Sequence, residues 1–446
     1  MCAVVGVINS KNASTIAYYA LFAMQHRGQE ASGISVSNGE NIKTHKAKGK
    51  VDEVFNTQIL SQLQGNLAIG HNRYSTAGSL SLHDAQPVSA TCSFGDIALV
   101  HNGNLINKEE IRKELIENGA IFHSNMDTEN VVHLIARSKQ KKLKDKFIEA
   151  LKQTKGAYSF ILASKNQLFV ARDPYGVRPL SLGKLKDGGY IVASETCAFD
   201  LIEAEFIRDV KAGEMLIFTE GKDEFESIQV FEETNPRICA FEYIYLSRPD
   251  SVIEGKSVYE VRKKMGEALA KKFKEKVDFV VPVPDSGVSA AIGFAQYLKI
   301  PLEMAIVRNH YVGRTFIEPT QEMRNLKVKL KLNPMKKVLE GKDIVVIDDS
   351  VVRGTTSKKI IALLKQAGAR KIHLAIACPE IKFPDIYGID TPTFEELISA
   401  NKSVEEVREY TGADSLTFLD INELVSSIGD ERKYSLISFD GDYFIK

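Results

Sequence analysis

The chain changes rhythm near residue 235, and no single layered domain accommodates both patterns. Before ETNPR (233–237), short apolar runs are separated by turns. AVVGVI (3–8), GISVS (33–37), LAIGHNRY (67–74), DIALVHNGNL (96–105), AYSFILAS (157–164), QLFVARD (167–173), GYIVAS (189–194) and EMLIFT (214–219) read as strands. STIAYYALFAMQHR (14–27) reads as a helix with Ser14 as N-cap, and a second helix near 107–118 starts at Asn107 and stops at Asn118-Gly119. Many antiparallel-looking strands with a few helices predict a layered α+β domain. After the break, strands alternate with helices. DFVVPVP (278–284) leads into a helix starting near Ser286, DIVVIDDS (343–350) leads into SKKIIALLKQAG with Gly368 as its stop, and KIHLAIACP (371–379) follows. That alternation predicts a parallel α/β sheet.

Composition narrows the function. The 446 residues suffice for two or three domains, and 44% hydrophobic with 26% charged residues describes a globular protein. The 58 basic and 58 acidic residues cancel, so nothing in the balance calls for nucleic acid or an anionic membrane. No basic segment followed by an apolar one suggests a signal peptide, and no apolar run approaches the ~20 residues of a membrane span; a cytoplasmic location is expected. The five cysteines (Cys2, Cys92, Cys197, Cys239, Cys378) are scattered and none forms a CxxC pair, which predicts neither a disulfide framework nor structural zinc.

The stretch VVIDDSVVRGTTSKK (345–359) is the most informative. An apolar strand ends in two carboxylates, and a Gly/Thr/Ser loop then opens a helix. In open parallel sheets, ligands bind at the carboxyl ends of strands, where helix N-termini point free N–H groups. The loop Arg353-Gly354-Thr355-Thr356-Ser357 offers amides and hydroxyls to a phosphate, and Gly354 permits close backbone approach. Asp348 and Asp349 would repel a bare phosphate, which leaves ribose hydroxyls or a hard cation such as Mg²⁺ as their partners. The loop is neither a Walker A loop nor a GxGxxG dinucleotide loop.

The N-terminus MCAVVGVI raises a second possibility. Removal of Met1 would expose a residue carrying both a thiol and a free α-amine, and that amine can serve as general base for its own thiol.

Two resemblances connect these features. VVIDDSVVRGTTSKK resembles the phosphoribosyl-pyrophosphate (PRPP) motif of type I phosphoribosyltransferases. MCAVVGV, QHRGQEASG (25–33), GHNRYSTAG (70–78), HNGNL (101–105), SNMDTE (124–129) and ARDPYGVRPL (171–180), in that order, resemble the motifs of N-terminal-nucleophile glutaminases. Together with VPVPDSG (281–287) and RNHYVGRTFIEP (308–319), they identify the chain as similar to the glutamine PRPP amidotransferase family over nearly its whole length. The resemblance implies a four-layer αββα glutaminase domain over 2–235. A phosphoribosyltransferase domain with a C-terminal helical tail would follow over 236–446. It implies ammonia release from glutamine and its transfer to PRPP, the first committed step of purine synthesis.

Residue by residue, the resemblance makes Cys2 the nucleophile, with Asn102 and Gly103 holding the oxyanion. Arg27, Gly28, Arg73 and Asp127 would meet glutamine; for Asp127, capping of the following helix is an equal alternative. Ser350, Arg353, Gly354, Thr355, Thr356, Ser357 and Arg314 would hold PRPP with Asp348 and Asp349, and Ser286 would join that pair at Mg²⁺. His26, His71 and His101 are expected to be structural. One branch of the family carries an iron–sulfur cluster, which needs four thiolates. Here Cys239 matches the first ligand, Asp385 stands at the second, and KYSLISFDGDYFIK lacks the final pair, so no cluster is expected. Maturation by Met1 removal alone, a homodimer or homotetramer, and inhibition by AMP, GMP or ADP are also implied. The rival readings are a glutaminase with a sugar-phosphate acceptor, against which the PRPP motif argues, and a non-catalytic PRPP sensor, against which Cys2 and its oxyanion residues argue.

Overall fold

The structure, a computed structural model, describes residues 2–74, 81–309, 332–389, 391, 393–429 and 433–445. Among the described residues, thirteen strands precede residue 235. They are β1 (Ala3–Ile8), β2 (Ala31–Ser37), β3 (Ile42–Lys48), β4 (Leu67–Arg73), β5 (Val88–Cys92), β6 (Gly95–Leu105), β7 (Gly156–Ala163), β8 (Gln167–Arg172), β9 (Ser181–Lys184), β10 (Tyr190–Ala193), β11 (Glu205–Asp209), β12 (Glu214–Thr219) and β13 (Phe225–Gln229). They form two antiparallel sheets, ordered β11-β9-β10-β1-β4-β2-β3 and β13-β12-β8-β7-β6-β5.

The period-2 alternation of β1 explains why its run is continuously apolar. Ala3, Val5 and Val7 pack toward the helix Ala13–Ala23, whereas Val4 and Ile8 join Leu67, Ile69, Val100, Ile161 and Val170 between the sheets. Both faces are covered, so both are apolar. Beyond the second sheet, Ile97, Leu99, Phe160 and Leu162 meet the helices Asp127–Arg137 and Leu143–Gln153. The result is four layers, helix–sheet–sheet–helix.

The helix expected over 14–27 is shorter. It runs Ala13–Ala23 with Asn12 at its N-cap and Ser14 buried inside it, and Gln25–Arg27 forms a separate 3-10 turn. Gln25 explains the break: its side chain donates to Gly28 O (2.5 Å) and accepts from Val51 N (2.8 Å), bonds that fix a turn rather than another helical residue.

The second half contains a parallel sheet of Phe279–Pro282, Asp343–Asp348, Lys371–Ile376 and Ser415–Phe418, in that order. The helices Val258–Lys272 and Val288–Leu298 cross at backbone contact: a Cβ on Gly266 would lie 1.8 Å from Ala290 O, and one on Gly293 would lie 2.0 Å from Lys263 O. Only glycine permits that approach.

Candidate active sites

Cys2 immediately precedes β1, whose register pairs Ala3 with Asn72 of β4, so the thiol sits beside Arg73 and Tyr74 at the end of that strand. Its Sγ lies 3.8 Å from Tyr74 O. From the opposite sheet, β6 delivers Asn102. The Cys2 backbone nitrogen, which becomes the α-amine when Met1 is lost, donates to Asn102 Oδ1 at 3.3 Å. Asn102 is fully buried, and its Nδ2 has no partner among the described residues. A buried amide donor left unpaired is costly, and one beside a nucleophile suits an anion that forms only during reaction. Gly103 follows with φ +148°, and a Cβ there would lie 2.0 Å from Ala157 O.

Asp127 opens the helix Asp127–Arg137 but does not cap it; Met126 occupies the N-cap. Its carboxylate instead reaches β6, accepting from Leu105 N (2.9 Å) and pairing with His101 Nδ1 (3.2 Å). Burial pushes this carboxyl up, but His101 and the Leu105 N–H outweigh it and hold the group below the usual carboxylate range. Arg73 is nearly buried, with Asp84 Oδ2 at 4.0 Å as its counter-charge. Gly28 packs on the Arg73 backbone: a Cβ there would lie 2.6 Å from the Arg73 carbonyl.

Arg27, expected as a glutamine contact, sits in a buried ion-pair network. Its side chain is fully buried; Nε donates to Cys2 O (3.0 Å), and other donors go to Glu195 (2.5 Å) and, bidentately, to Glu242 (2.9 Å). Four of its five N–H donors are thus engaged within the protein. The histidines lie around this site. His26 Nε2 meets Glu195 at 2.8 Å. His71 is held neutral, its pKa pushed down to about 3 by burial and by nearby Arg73.

Sequence reasoning passed over Glu195, Glu242 and Arg178. Arg178 lies inside the quoted ARDPYGVRPL, and its partners are distant in sequence: Glu242 (3.4 Å) and Tyr387 O (3.1 and 2.9 Å). A carboxylate directly after the buried strand GYIVAS was the available signal for Glu195.

The second site lies at the carboxyl end of the parallel sheet. Asp348 ends its strand and, like Asp349, is almost buried. Burial, and then the neighbouring Asp349 charge, pushes the Asp348 carboxyl well above its ordinary range. Asp349 N donates to Asp348 Oδ1 (3.0 Å), and Ser350 Oγ donates to Asp349. Gly354, at φ +70°, sits at the N-cap of the helix Thr355–Gln366, and a Cβ there would collide with Ile398 (2.8 Å). Thr355 and Thr356 are exposed at the first turn, Ser357 is buried, and exposed Arg353 pairs with Glu396 (3.1 Å). Ser286 lies in the turn after Phe279–Pro282, which Val283 N→Ile347 O (2.9 Å) fastens to the carboxylate-bearing strand. Asp285 on that turn pairs with Arg308. Arg314 lies outside the described residues.

The first half thus places a thiol near a buried amide donor without a partner among the described residues, and the second a Gly/Thr/Ser loop beside two acids. Residues 71–200 match a family model described as a glutamine amidotransferase domain, and residues 253–390 one described as a phosphoribosyl transferase domain. Fold and sites together define a glutamine amidotransferase joined to a phosphoribosyltransferase. The chain is 48% identical to amidophosphoribosyltransferase 1, chloroplastic, of Arabidopsis thaliana, over all of this chain and 79% of that protein. It is 46% identical to the amidophosphoribosyltransferase of Bacillus subtilis, over 97% of this chain and 90% of that one. The solved structure of the B. subtilis glutamine PRPP amidotransferase complexed with ADP and GMP superposes with a TM-score of 0.94 at 44% identity, covering 100% of this chain and 98% of that chain. The chain belongs to the amidophosphoribosyltransferase family. It takes ammonia from glutamine and transfers it to PRPP, giving 5-phosphoribosylamine, glutamate and pyrophosphate.

Proposed function

We propose that this reaction is divided between the two sites, with Cys2, freed of Met1, as the glutaminase nucleophile. The observation that carries the reading is Asn102, whose Oδ1 meets the Cys2 nitrogen while its Nδ2 stands unpartnered among the described residues. The α-amine takes the thiol proton as Sγ attacks the glutamine side-chain amide. Asn102 Nδ2 and Gly103 N–H receive the oxyanion. The protonated α-amine gives that proton to the leaving nitrogen, collapse expels ammonia and leaves a glutamyl thioester, and water hydrolyses it to glutamate and the free thiol. Arg73 would hold the substrate carboxylate and Asp127 its ammonium, with Gly28 shaping the floor.

In the second half, the amides and hydroxyls of Ser350 to Ser357 would hold the 5-phosphate of PRPP, with Arg353 and Arg314 adding charge. Asp348 and Asp349 would meet ribose hydroxyls and Mg²⁺, joined by Ser286. Two adjacent buried carboxylates suit a hard cation, whose positive charge would offset their mutual repulsion. When bound, Mg²⁺ neutralises pyrophosphate charge and eases its departure as ammonia attacks the anomeric carbon. An iron–sulfur cluster would need four thiolates; Cys239 is buried, Asp385 stands where the second would fall, and the tail KYSLISFDGDYFIK has no cysteine.

The proposed boundary near 235 is supported by the chain's course. β13 ends at Gln229, after which Asn235, Arg237 and Cys239 run as a connector along 174–177. The ADP and GMP complexed with the B. subtilis enzyme support purine nucleotides as feedback inhibitors at the first committed step of purine synthesis. A homodimer or homotetramer in the cytoplasm completes the reading; among the described residues no helix is long and apolar enough to cross a membrane. A diazoketone analogue of glutamine tests the core of it. Intact-mass and peptide mapping should find Met1 absent and one label on Cys2; a label elsewhere, or a retained Met1 in active protein, would overturn the assignment.

A further inference from the structure

An N-terminal nucleophile is difficult to hold in place. Its thiol must attack and its amine must move a proton, so the carbonyl oxygen is the remaining backbone handle. In this chain that handle is taken by Arg27 Nε at 3.0 Å. The Arg27 fork is fixed in turn by Glu195 and by both carboxylate oxygens of Glu242, all three side chains being fully buried. Glu195 belongs to the first half of the chain, whereas Glu242 lies beyond its last strand.

Glu242 is itself braced from the second half. Ser247 Oγ donates to its Oε2 at 2.7 Å, and Arg262 donates to Tyr243 O and Ser247 O, both at 2.7 Å, clamping the turn Glu242–Leu246 from the helix Val258–Lys272. Arg178 continues the chain of charges from Glu242 to Tyr387 O. The same segment reaches the oxyanion strand: Asn104 Nδ2 donates to Ile386 O (2.8 Å), and Gly388 packs on Gly103 so closely that a Cβ would sit 3.0 Å from it.

We infer that Glu242 is a positioning residue for the nucleophile, holding the Cys2 carbonyl through Arg27, so that the glutaminase site is completed by the second half of the chain. This rests on Cys2 being the nucleophile. A planar five-donor guanidinium with its partners fixed cannot rotate without leaving a buried charge unpaired, so the network holds Cys2 rigidly. Among its recorded contacts Glu242 meets Arg27, Arg178 and Ser247 but not Cys2 itself, so it reaches the nucleophile through Arg27.

The test uses the full-length enzyme with Glu242→Gln, which keeps shape and removes charge, and Ser247→Ala, which removes only the hydroxyl bracing Glu242. Misplacing a reacting atom by about 1 Å costs on the order of 100-fold. Glu242→Gln should therefore lower glutamine-dependent kcat by about 10–100-fold and slow diazoketone labelling of Cys2 in parallel, and Ser247→Ala should do both several-fold. The KM for glutamine should stay within about threefold, because Arg73 and Asp127 lie outside the network, and synthesis from ammonium salts should be unchanged. Unchanged labelling in both variants, a rise in KM alone, or equal loss of the ammonia-dependent rate would overturn the inference. Should Glu242→Gln not accumulate folded, Ser247→Ala decides: the same split supports the claim and its absence overturns it. Failure of the wild type to label at Cys2 would instead overturn the nucleophile assignment on which the inference depends.

Discussion

The two sites solve opposite electrostatic problems. Around Cys2, the charges are buried and paired before any substrate arrives: Arg27, Glu195, Glu242 and Arg178 show no exposed side-chain area. Around Asp348 the arrangement is open, with Thr355, Thr356 and Arg353 exposed and Arg353 and Arg308 in surface pairs. Breaking a buried pair costs about 3–5 kcal/mol, whereas an exposed pair is worth about 0–1 kcal/mol. The glutaminase site is therefore rigid by construction. The phosphoribosyltransferase site keeps its polar groups available, and the 5-phosphate and pyrophosphate of PRPP would supply the charge they lack.

Several substitutions probe that contrast, taken from the largest expected effect. Asp349→Asn should reduce PRPP-dependent pyrophosphate release by more than about 100-fold, beyond the roughly 10–100-fold loss seen when a group merely supporting a metal ligand is removed. The Cys2 label should still form, and loss of labelling would break the separation of the two sites. Gly103→Ala should lower glutamine-dependent kcat by about 10²–10³-fold, the loss typical of one oxyanion donor, because its Cβ would meet Ala157 O and φ +148° disfavours a side chain. Its ammonia-dependent rate should hold; a parallel fall would show that the oxyanion strand supports both reactions. Arg353→Ala should change unfolding free energy by less than about 1 kcal/mol while raising the KM for PRPP, and a large stability loss would contradict the open character of that site.

A pH dependence of stability is also expected. His71 has its folded pKa pushed down to about 3, so between the unfolded value near 6.5 and about 3 the unfolded chain binds more protons. Its contribution is complete above about 6.5 and is lost as pH falls toward 3. Asp173, buried with its pKa raised to about 6, acts in the opposite direction: its contribution is present below about 3.8 and is lost as pH rises through 6. The two partly cancel in the wild type. Denaturant melts of His71→Asn across pH 4–7 should therefore show a curve that no longer declines on the acid side relative to wild type; identical curves would remove His71 from the account.

Much of this was legible in the sequence, and the exceptions share a cause. Strands such as 3–8 and 214–219 were readable because continuous apolar runs report burial on both faces. β3 (IKTHKAK) and β13 were missed because edge strands half in water carry charged residues without an apolar signal. Asp348, Asp349 and the Gly/Thr/Ser loop stand out in the sequence because they are contiguous. Glu195 and Glu242 do not, because their partner Arg27 lies 168 and 215 residues away and only the fold joins them. The contacts of Arg27 are illegible for the same reason: a motif shows that an arginine belongs near the site, while its hydrogen bonds to Cys2 O, Glu195 and Glu242 come only with the fold.

The central claim, that ammonia is made at Cys2 and consumed elsewhere, is tested most directly by one Cys2→Ala preparation assayed for phosphoribosylamine with each nitrogen source. Glutamine-dependent synthesis should vanish, and synthesis from ammonium salts should proceed at the wild-type rate. Equal loss of both activities in folded protein, or survival of the glutamine-dependent one, would contradict the claim.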